Sequence, residues 1–153
     1  MVHGHDREPD QQGHRVLLVH RATSAVTLSV RAVYAGDARY VASTSPAKAV
    51  SVVKKATKTS VSVRSSAKVR AKVTATIAVS PSSATAGASV KVYTQQPGGS
   101  WKLLTTKKLG GADGKATVTV SGSKVGTLHV KAVYGGSGTL SASTGTASVK
   151  VTR

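Results

Sequence analysis

VRAVYAGDARYVAST at residues 30–44 returns one hundred residues later as VKAVYGGSGTLSAST at 130–144. The match runs without a gap from 27–51 onto 127–151, and eleven of the twenty-five positions are identical. Among them are Leu28/Leu128, Val30/Val130, Ala32/Ala132, Val33/Val133, Tyr34/Tyr134, Gly36/Gly136 and the Ala-Ser-Thr triplets at 42–44 and 142–144. Self-similarity at a fixed offset means one supersecondary unit used twice. An offset of a hundred residues suits a β-sandwich domain rather than a short solenoid repeat. The spacing therefore predicts one complete repeat toward the C-terminus, preceded by only the back half of another.

The residues around the match alternate. Val26, Leu28, Val30, Ala32 and Tyr34 fall on one side of an extended chain, with Thr27, Ser29, Arg31 and Val33 on the other. Period-two patterning of this kind marks a half-buried strand. AGDARY at 35–40 reads as a turn, and 48–53 as the next strand. Further on, KVRAKVTATIAV at 68–79 reads as one long strand. Val69, Ala71, Val73, Ala75 and Ile77 would face a core, and Lys68, Arg70, Lys72, Thr74 and Thr76 would face solvent. PSSATAG at 81–87 and QQPGGS at 95–100 carry turn chemistry, as does GGADG at 110–114, where Asp113-Gly114 reads as a hairpin turn. Strands are expected at 59–64, 68–79, 89–94, 101–108, 115–120, 127–134 and 146–152, with no segment of helical period. These strands predict an all-β fold, an Ig-like antiparallel sandwich over 59–153. Residues 23–53 would be the truncated copy, a terminal hairpin. Residues 54–58 would be a basic linker, and 1–22 a polar, disordered tail.

The composition fits this picture. The chain has 153 residues, 39% of them apolar, yet Phe is absent and aromatics make up 3%. A core must therefore be built from Val, Ala, Leu and Ile with a few Tyr and one Trp, while the abundance of Val, Thr and Ser suits strands and turns. There is no Cys, so neither a disulfide nor a thiolate metal site holds the fold. The apolar run 16–19 (VLLV) is too short for a signal-peptide core or a membrane span, and neither is expected within this sequence.

At this point a resemblance can be stated. AVSPSSATAG at 78–87, GKATVTV at 114–120 and GTLHVKAVYGGS at 126–137 are similar to the bacterial Ig-like domain repeats of large surface and secreted proteins, especially of actinobacteria. The resemblance covers about 26–53 and 58–152. It implies an extracellular or cell-surface location. It also implies a structural role as a spacer or stalk, with adhesion or catalysis placed in other domains of a larger parent protein.

Charge is the remaining signal. Twenty-two Lys and Arg stand against five acids, a net charge of +17, and three of the acids lie in the first ten residues. Such a chain attracts polyanions at low salt. Candidate partners are anionic cell-wall polymer, acidic polysaccharide, nucleic acid and anionic lipid. The candidate contacts are Lys54, Lys55 and Lys58 in the linker, Lys68, Arg70 and Lys72 along one strand face, and Lys107 and Lys108 before a turn. Sequence-specific nucleic-acid readers pair such charge with a recognition helix or stacking platform, and neither is legible.

Catalytic and metal chemistry find little support. Ser, His129 and Asp113 can be assembled into a triad only on paper, without a nucleophile elbow. His3 and His5 are a weak metal pair in the tail. Asp37 cannot hold calcium alone, and its counterpart in the second copy is Ser137. No enzyme activity, cofactor or metal is expected. Trp101 could stack on a sugar ring, or pack on Tyr93 or the core. The reading is a non-catalytic spacer loosely held to anionic wall polymer, with a basic module for nucleic acid or acidic polysaccharide as the alternative.

Overall fold

The computed structural model describes residues 14–15, 24–110 and 113–153, and the chain divides between Lys54 and Lys55. The tail expected over 1–22 lies outside the described residues except for His14–Arg15, as does the His3/His5 pair.

Among the described residues, the first unit holds five short strands: β1 (His14–Arg15), β2 (Val26–Val30), β3 (Val33–Tyr34), β4 (Ser43–Thr44) and β5 (Lys48–Val52). β2 pairs with β5, and β3 lies between β1 and β4, all antiparallel. The second unit holds β6 (Lys58–Ser62), β7 (Ser66–Lys68), β8 (Val73–Ser80), the one-turn helix α1 (Ser82–Thr85), β9 (Ser89–Gln95), β10 (Trp101–Lys108), β11 (Lys115–Val120), β12 (Gly126–Tyr134) and β13 (Ser143–Thr152). These form two sheets, ordered β10-β9-β12-β13-β7 and β11-β8-β6. All pairings are antiparallel except β13 with β7. The two sheets face each other as a β-sandwich.

The core follows from the alternation. Val73, Ala75, Ile77 and Val79 of β8 are buried against Val90 and Val92 of β9, Leu128, Val130, Ala132 and Tyr134 of β12, and Val149 and Val151 of β13. The intervening residues of each strand point outward, as expected when one face of an antiparallel sheet is buried.

Three expectations need correction. Residues 68–79 are not one strand. Ser66–Lys68 joins the five-stranded sheet beside β13, and Val73–Ser80 joins the other. Between them Arg70 adopts a left-handed backbone (φ 63°), with its N–H donating to the Gly122 carbonyl at 2.8 Å. The chain must change sheets there, and period-two alternation continues across the break without marking it. Second, the unit boundary falls within the basic linker expected at 54–58, but its later residues are taken up by the second unit. Lys55 donates from its N–H to Thr139 O (2.8 Å) and accepts from Ser141 N–H (2.9 Å), and Lys58 already begins β6. Third, the Asp113-Gly114 turn does not close a hairpin. β10 and β11 belong to opposite sheets, so this connection crosses the sandwich.

The two copies of the repeat share a local device. Gly36 and Gly136 have φ of 84° and 79°, and a Cβ on either would come within 2.9 Å of the backbone N of Ala42 or Ala142. Only glycine fits such a turn. Asp37 Oδ1 accepts from the N–H groups of Arg39 and Tyr40, and Ser137 Oγ accepts from those of Thr139 and Leu140. Two different side chains thus close the same loop.

The copies part company after Thr44. In the second, β12 and β13 pair continuously from Tyr134↔Ser143 to Gly126↔Val151. In the first, Pro46 has no N–H to continue the ladder. The ladder stops there and resumes at Val30↔Lys48. Leu28 now faces Val50, whereas the gapless match would have placed it opposite Ala49, as Leu128 faces Val149. A one-residue slip reverses which side chains share a face. Here it brings Val50 and Val52 onto the face of Leu28 and Val26. That face stays half open, with Val26 at 38% and Val50 at 47% exposure, whereas Leu128 and Val149 are buried. An isolated hairpin has too little to pack on.

Gly145 shows the same contrast. A Cβ at this position would lie 2.5 Å from the Thr59 carbonyl oxygen, because β13 passes directly under β6. Its counterpart in the first copy is Ser45. We expect Gly145→Ala to destabilise the second unit by about 1–3 kcal/mol, as overpacking does, read as a lower urea midpoint. An unchanged midpoint would contradict the close approach.

The 36–40 turn has a pH signature. The Tyr34 hydroxyl donates to Asp37 Oδ2 at 2.7 Å. That bond, followed by the Arg39 and Tyr40 amides, holds the Asp37 carboxyl below the usual range, and the carboxylate in turn holds the Tyr34 phenol above its own. A depressed carboxyl contributes stability at neutral pH that is lost as pH falls through its folded value. A raised phenol loses its contribution as pH rises through its folded value. The amide resonances of Arg39 and Tyr40 should therefore shift together on acidification, with a midpoint below that of a free aspartate. A midpoint at the free value would show that the turn does not form.

Candidate functional site

The basic residues singled out from the sequence do not gather into one patch. Lys54 belongs to the first unit. Lys58 lies on the outer face of the three-stranded sheet, next to the inward, buried Thr59. The Lys68-Arg70-Lys72 stripe dissolves, because Arg70 sits in the turn between sheets and Lys72 precedes β8. Lys107 and Lys108 point to opposite faces. Lys107 sits opposite buried Val90 and lines the groove between the sheet edges with Leu104 and Val118, whereas Lys108 sits opposite outward Ser89.

What the register does assemble is a different line of basic side chains. Lys91 lies between buried Val90 and Val92, so it points outward from β9. Lys131 lies between Val130 and Ala132, His129 between Leu128 and Val130, and Lys150 between Val149 and Val151. All face outward on the five-stranded sheet. Lys91 pairs with Val133, two residues from Lys131 on β12. Ser89, two residues from Lys91, pairs with Lys108. On the other side Lys150 pairs with Thr127, two residues from His129, and with Ser66, two residues from Lys68. The order Lys108, Lys91, Lys131, His129, Lys150, Lys68 thus crosses all five strands as one diagonal. Diagonal neighbours of this kind stand roughly 7–8 Å apart. From strand spacing and rise the line runs for about 38 Å.

No carboxylate interrupts it. Asp113, in the connection after β10, is the sole acid of residues 55–153. The outer face of the three-stranded sheet offers Lys58 and Lys115 among Ser and Thr. Cationic side chains are therefore concentrated on one face of the sandwich.

The middle of the diagonal is aromatic. Trp101 pairs with Gln95, which pairs with His129, and Leu103 pairs with Tyr93, which pairs with Lys131. These rows lie side by side on the outer face. Lys131 Nζ stands 4.4 Å from the Trp101 ring centroid and 5.2 Å from that of Tyr93, so both π faces attract it. The His129 ring lies 6.4 Å from Trp101, tilted by 56°. Trp101 is 37% exposed and Leu103 55%. Trp101 thus lies outside the core and shares an ammonium with Tyr93.

Of the sequence candidates, only Lys68 and Lys108 belong to this line. Lys91, His129, Lys131 and Lys150 were missed as a group. Their alternation was legible strand by strand, but their alignment depends on pairings between residues as distant as Val90 and Tyr134. His129 and Asp113 are not brought together: His129 is on the outer face opposite Gln95, and Asp113 precedes β11 of the other sheet. Asp113 Oδ1 instead accepts from the Lys115 N–H at 3.2 Å. Among the described residues no group of three His, Asp or Glu side chains is placed to hold a metal, and no helix is long and apolar enough to cross a membrane. No protein-family model matches the chain, and no curated protein matches it.

Replacing Lys131 with Met keeps the aliphatic stem and removes the charge held by the two rings. We expect a loss of about 0.5–1 kcal/mol, the range of exposed cation–π contacts. Trp101 is the single tryptophan, so its emission maximum should move in the folded protein. Denaturation followed by fluorescence checks both, and an unmoved emission would contradict the contact.

Proposed function

We propose that the chain is a non-catalytic spacer of Ig-like repeats, of the kind carried by bacterial surface and secreted proteins, with one basic sheet face turned toward anionic wall polymer. The observation that carries this reading is how the chain enters and leaves the second unit. At the entry, the Thr57 hydroxyl donates to Ser141 O (2.8 Å), and Thr59 Oγ1 lies 2.7 Å from Ser143 Oγ, at the start of β13. The exit is the far end of β13, where Thr152 pairs with Lys68. β13 has ten residues, so entry and exit stand about 33 Å apart along one strand direction. A domain entered at one end and left at the other can be strung in tandem without doubling back.

The parallel pairing of β7 with β13 bears on the same reading. Tension between entry and exit pulls these two strands past each other. Lys150 N–H to Ser65 O (2.8 Å) and Val69 N–H to Thr152 O (2.8 Å) flank the paired segment. Such bonds are loaded together in shear rather than opened one by one. The Ig-like typing draws support from the strand order. With β6 and β8 as strands A and B, β9 and β10 as C and C′, β11 as E, and β12 and β13 as F and G, the sheets resemble those of the immunoglobulin pattern. A second reading, a basic module for nucleic acid or acidic polysaccharide, is favoured by the lysine diagonal.

The chain lacks Cys, so cysteines introduced in pairs give unique handles for single-molecule stretching. Handles replacing Lys55 and Arg153 should give the higher unfolding force. Handles replacing Ser100 and Arg153 load the same end of the sheet and should peel it at a lower force. Equal forces would remove the load-bearing argument.

A further inference from the structure

The geometry points to a linear, carboxylate-bearing polysaccharide as the ligand of the lysine diagonal, seated at its centre on Trp101, Lys131 and Tyr93. This deepens the reading of that face as the one turned to a polymer; the load geometry stands apart from it. The first argument is the shape of the charge. Five lysines, one from each strand, and His129 lie in a single file of about 38 Å, without a carboxylate among them. A compact anion would use one or two of them. An extended polymer with a charge on successive units uses them all, and releases bound counterions in doing so.

The second argument is the chemistry at the centre. The Lys131 ammonium stands over Trp101 at 4.4 Å and Tyr93 at 5.2 Å, so a ligand at the centre meets an already positioned cation beside an aromatic surface. What remains beside the ammonium is apolar: the exposed part of Trp101 and the side chain of Leu103. A uronate unit presents both complements on one ring, a carboxylate for Lys131 and a C–H face for Trp101 and Leu103. An inorganic polyanion offers only the charge, and a neutral glycan only the ring. The ammonium, already positioned by two rings, needs little reordering to receive the carboxylate.

The test uses the full chain at 150 mM salt, with Trp101 fluorescence and calorimetry as readouts. The probes are polygalacturonate, inorganic polyphosphate, oligo(dT) and neutral dextran. We expect saturable binding of polygalacturonate with a change in Trp101 emission, at least tenfold tighter than polyphosphate or oligo(dT), and none of dextran. Lys131→Gln should weaken polygalacturonate at least tenfold, and Lys131→Arg less than threefold. The paired change Lys58→Gln and Lys115→Gln, on the opposite sheet, should alter it less than twofold. Each variant is checked by thermal melting. Should a Lys131 variant fail to fold, Lys91→Gln with Lys150→Gln takes its place, again with a tenfold loss expected. Polyphosphate or oligo(dT) binding as tightly as polygalacturonate would overturn the assignment, and oligo(dT) binding more tightly would point to single-stranded nucleic acid instead. Equal losses from both sheet faces would overturn it as well. None of these results would alter the force comparison between pulling geometries.

Discussion

The register of β12 is the constraint on which the second unit depends. This strand pairs with β9 on one side and β13 on the other. A slip of one residue at either seam would turn an entire strand over. Leu128, Val130 and Ala132 would leave the core, and His129 and Lys131 would enter it. The same seams align Lys91 with Val133 and Lys150 with Thr127, so the core and the lysine diagonal are two faces of one pairing. With side chains no larger than Leu and Tyr in this core, few contacts are available to tolerate an error.

The partial copy shows what happens when that constraint is relaxed. Its residues 26–34 are nearly those of β12, yet the ladder breaks at Pro46 and resumes one residue out of step. Val26 and Val50 stay largely exposed on that hairpin, so little burial is at stake in the slip. The slip even improves the hairpin, since it sets Val50 and Val52 beside Leu28 and Val26. The exchange of Gly145 for Ser45 has the same cause. Where β6 crosses closely above, only glycine fits, and at exposed Ser45 the hydroxyl accepts the Ala32 N–H at 2.9 Å.

The basic face and the parallel pairing of β13 with β7 use the same strands but different groups of them. β13 aligns with β7 through backbone bonds while its Lys150 side chain joins the diagonal. Edge strand β10 is guarded in ways typical of sheets that avoid pairing with a neighbour: a bulge between Leu103 and Thr105, and Lys102, Lys107 and Lys108 along its length. Lys108 thus serves both the edge and the diagonal. The charge of the second unit is placed unevenly between its two sheets, which general solubility does not require.

Strand existence was legible in the sequence because alternation is local. Each of 26–34, 73–79, 89–94, 115–120 and 127–134 shows its inward and outward residues without reference to any other segment, and the repeat at 30–44 and 130–144 marked the common turn. That alternation, with abundant Val and Thr and no segment of helical period, pointed to the all-β class. What the sequence could not decide is anything that depends on which strand lies beside which. The change of sheet at Arg70, the crossing at Asp113, the slip at Pro46 and the assembly of Lys68, Lys91, Lys108, His129, Lys131 and Lys150 all arise from pairing between distant segments. Alternation has a period of two and carries no information about neighbours, so those features came into being only when distant strands paired.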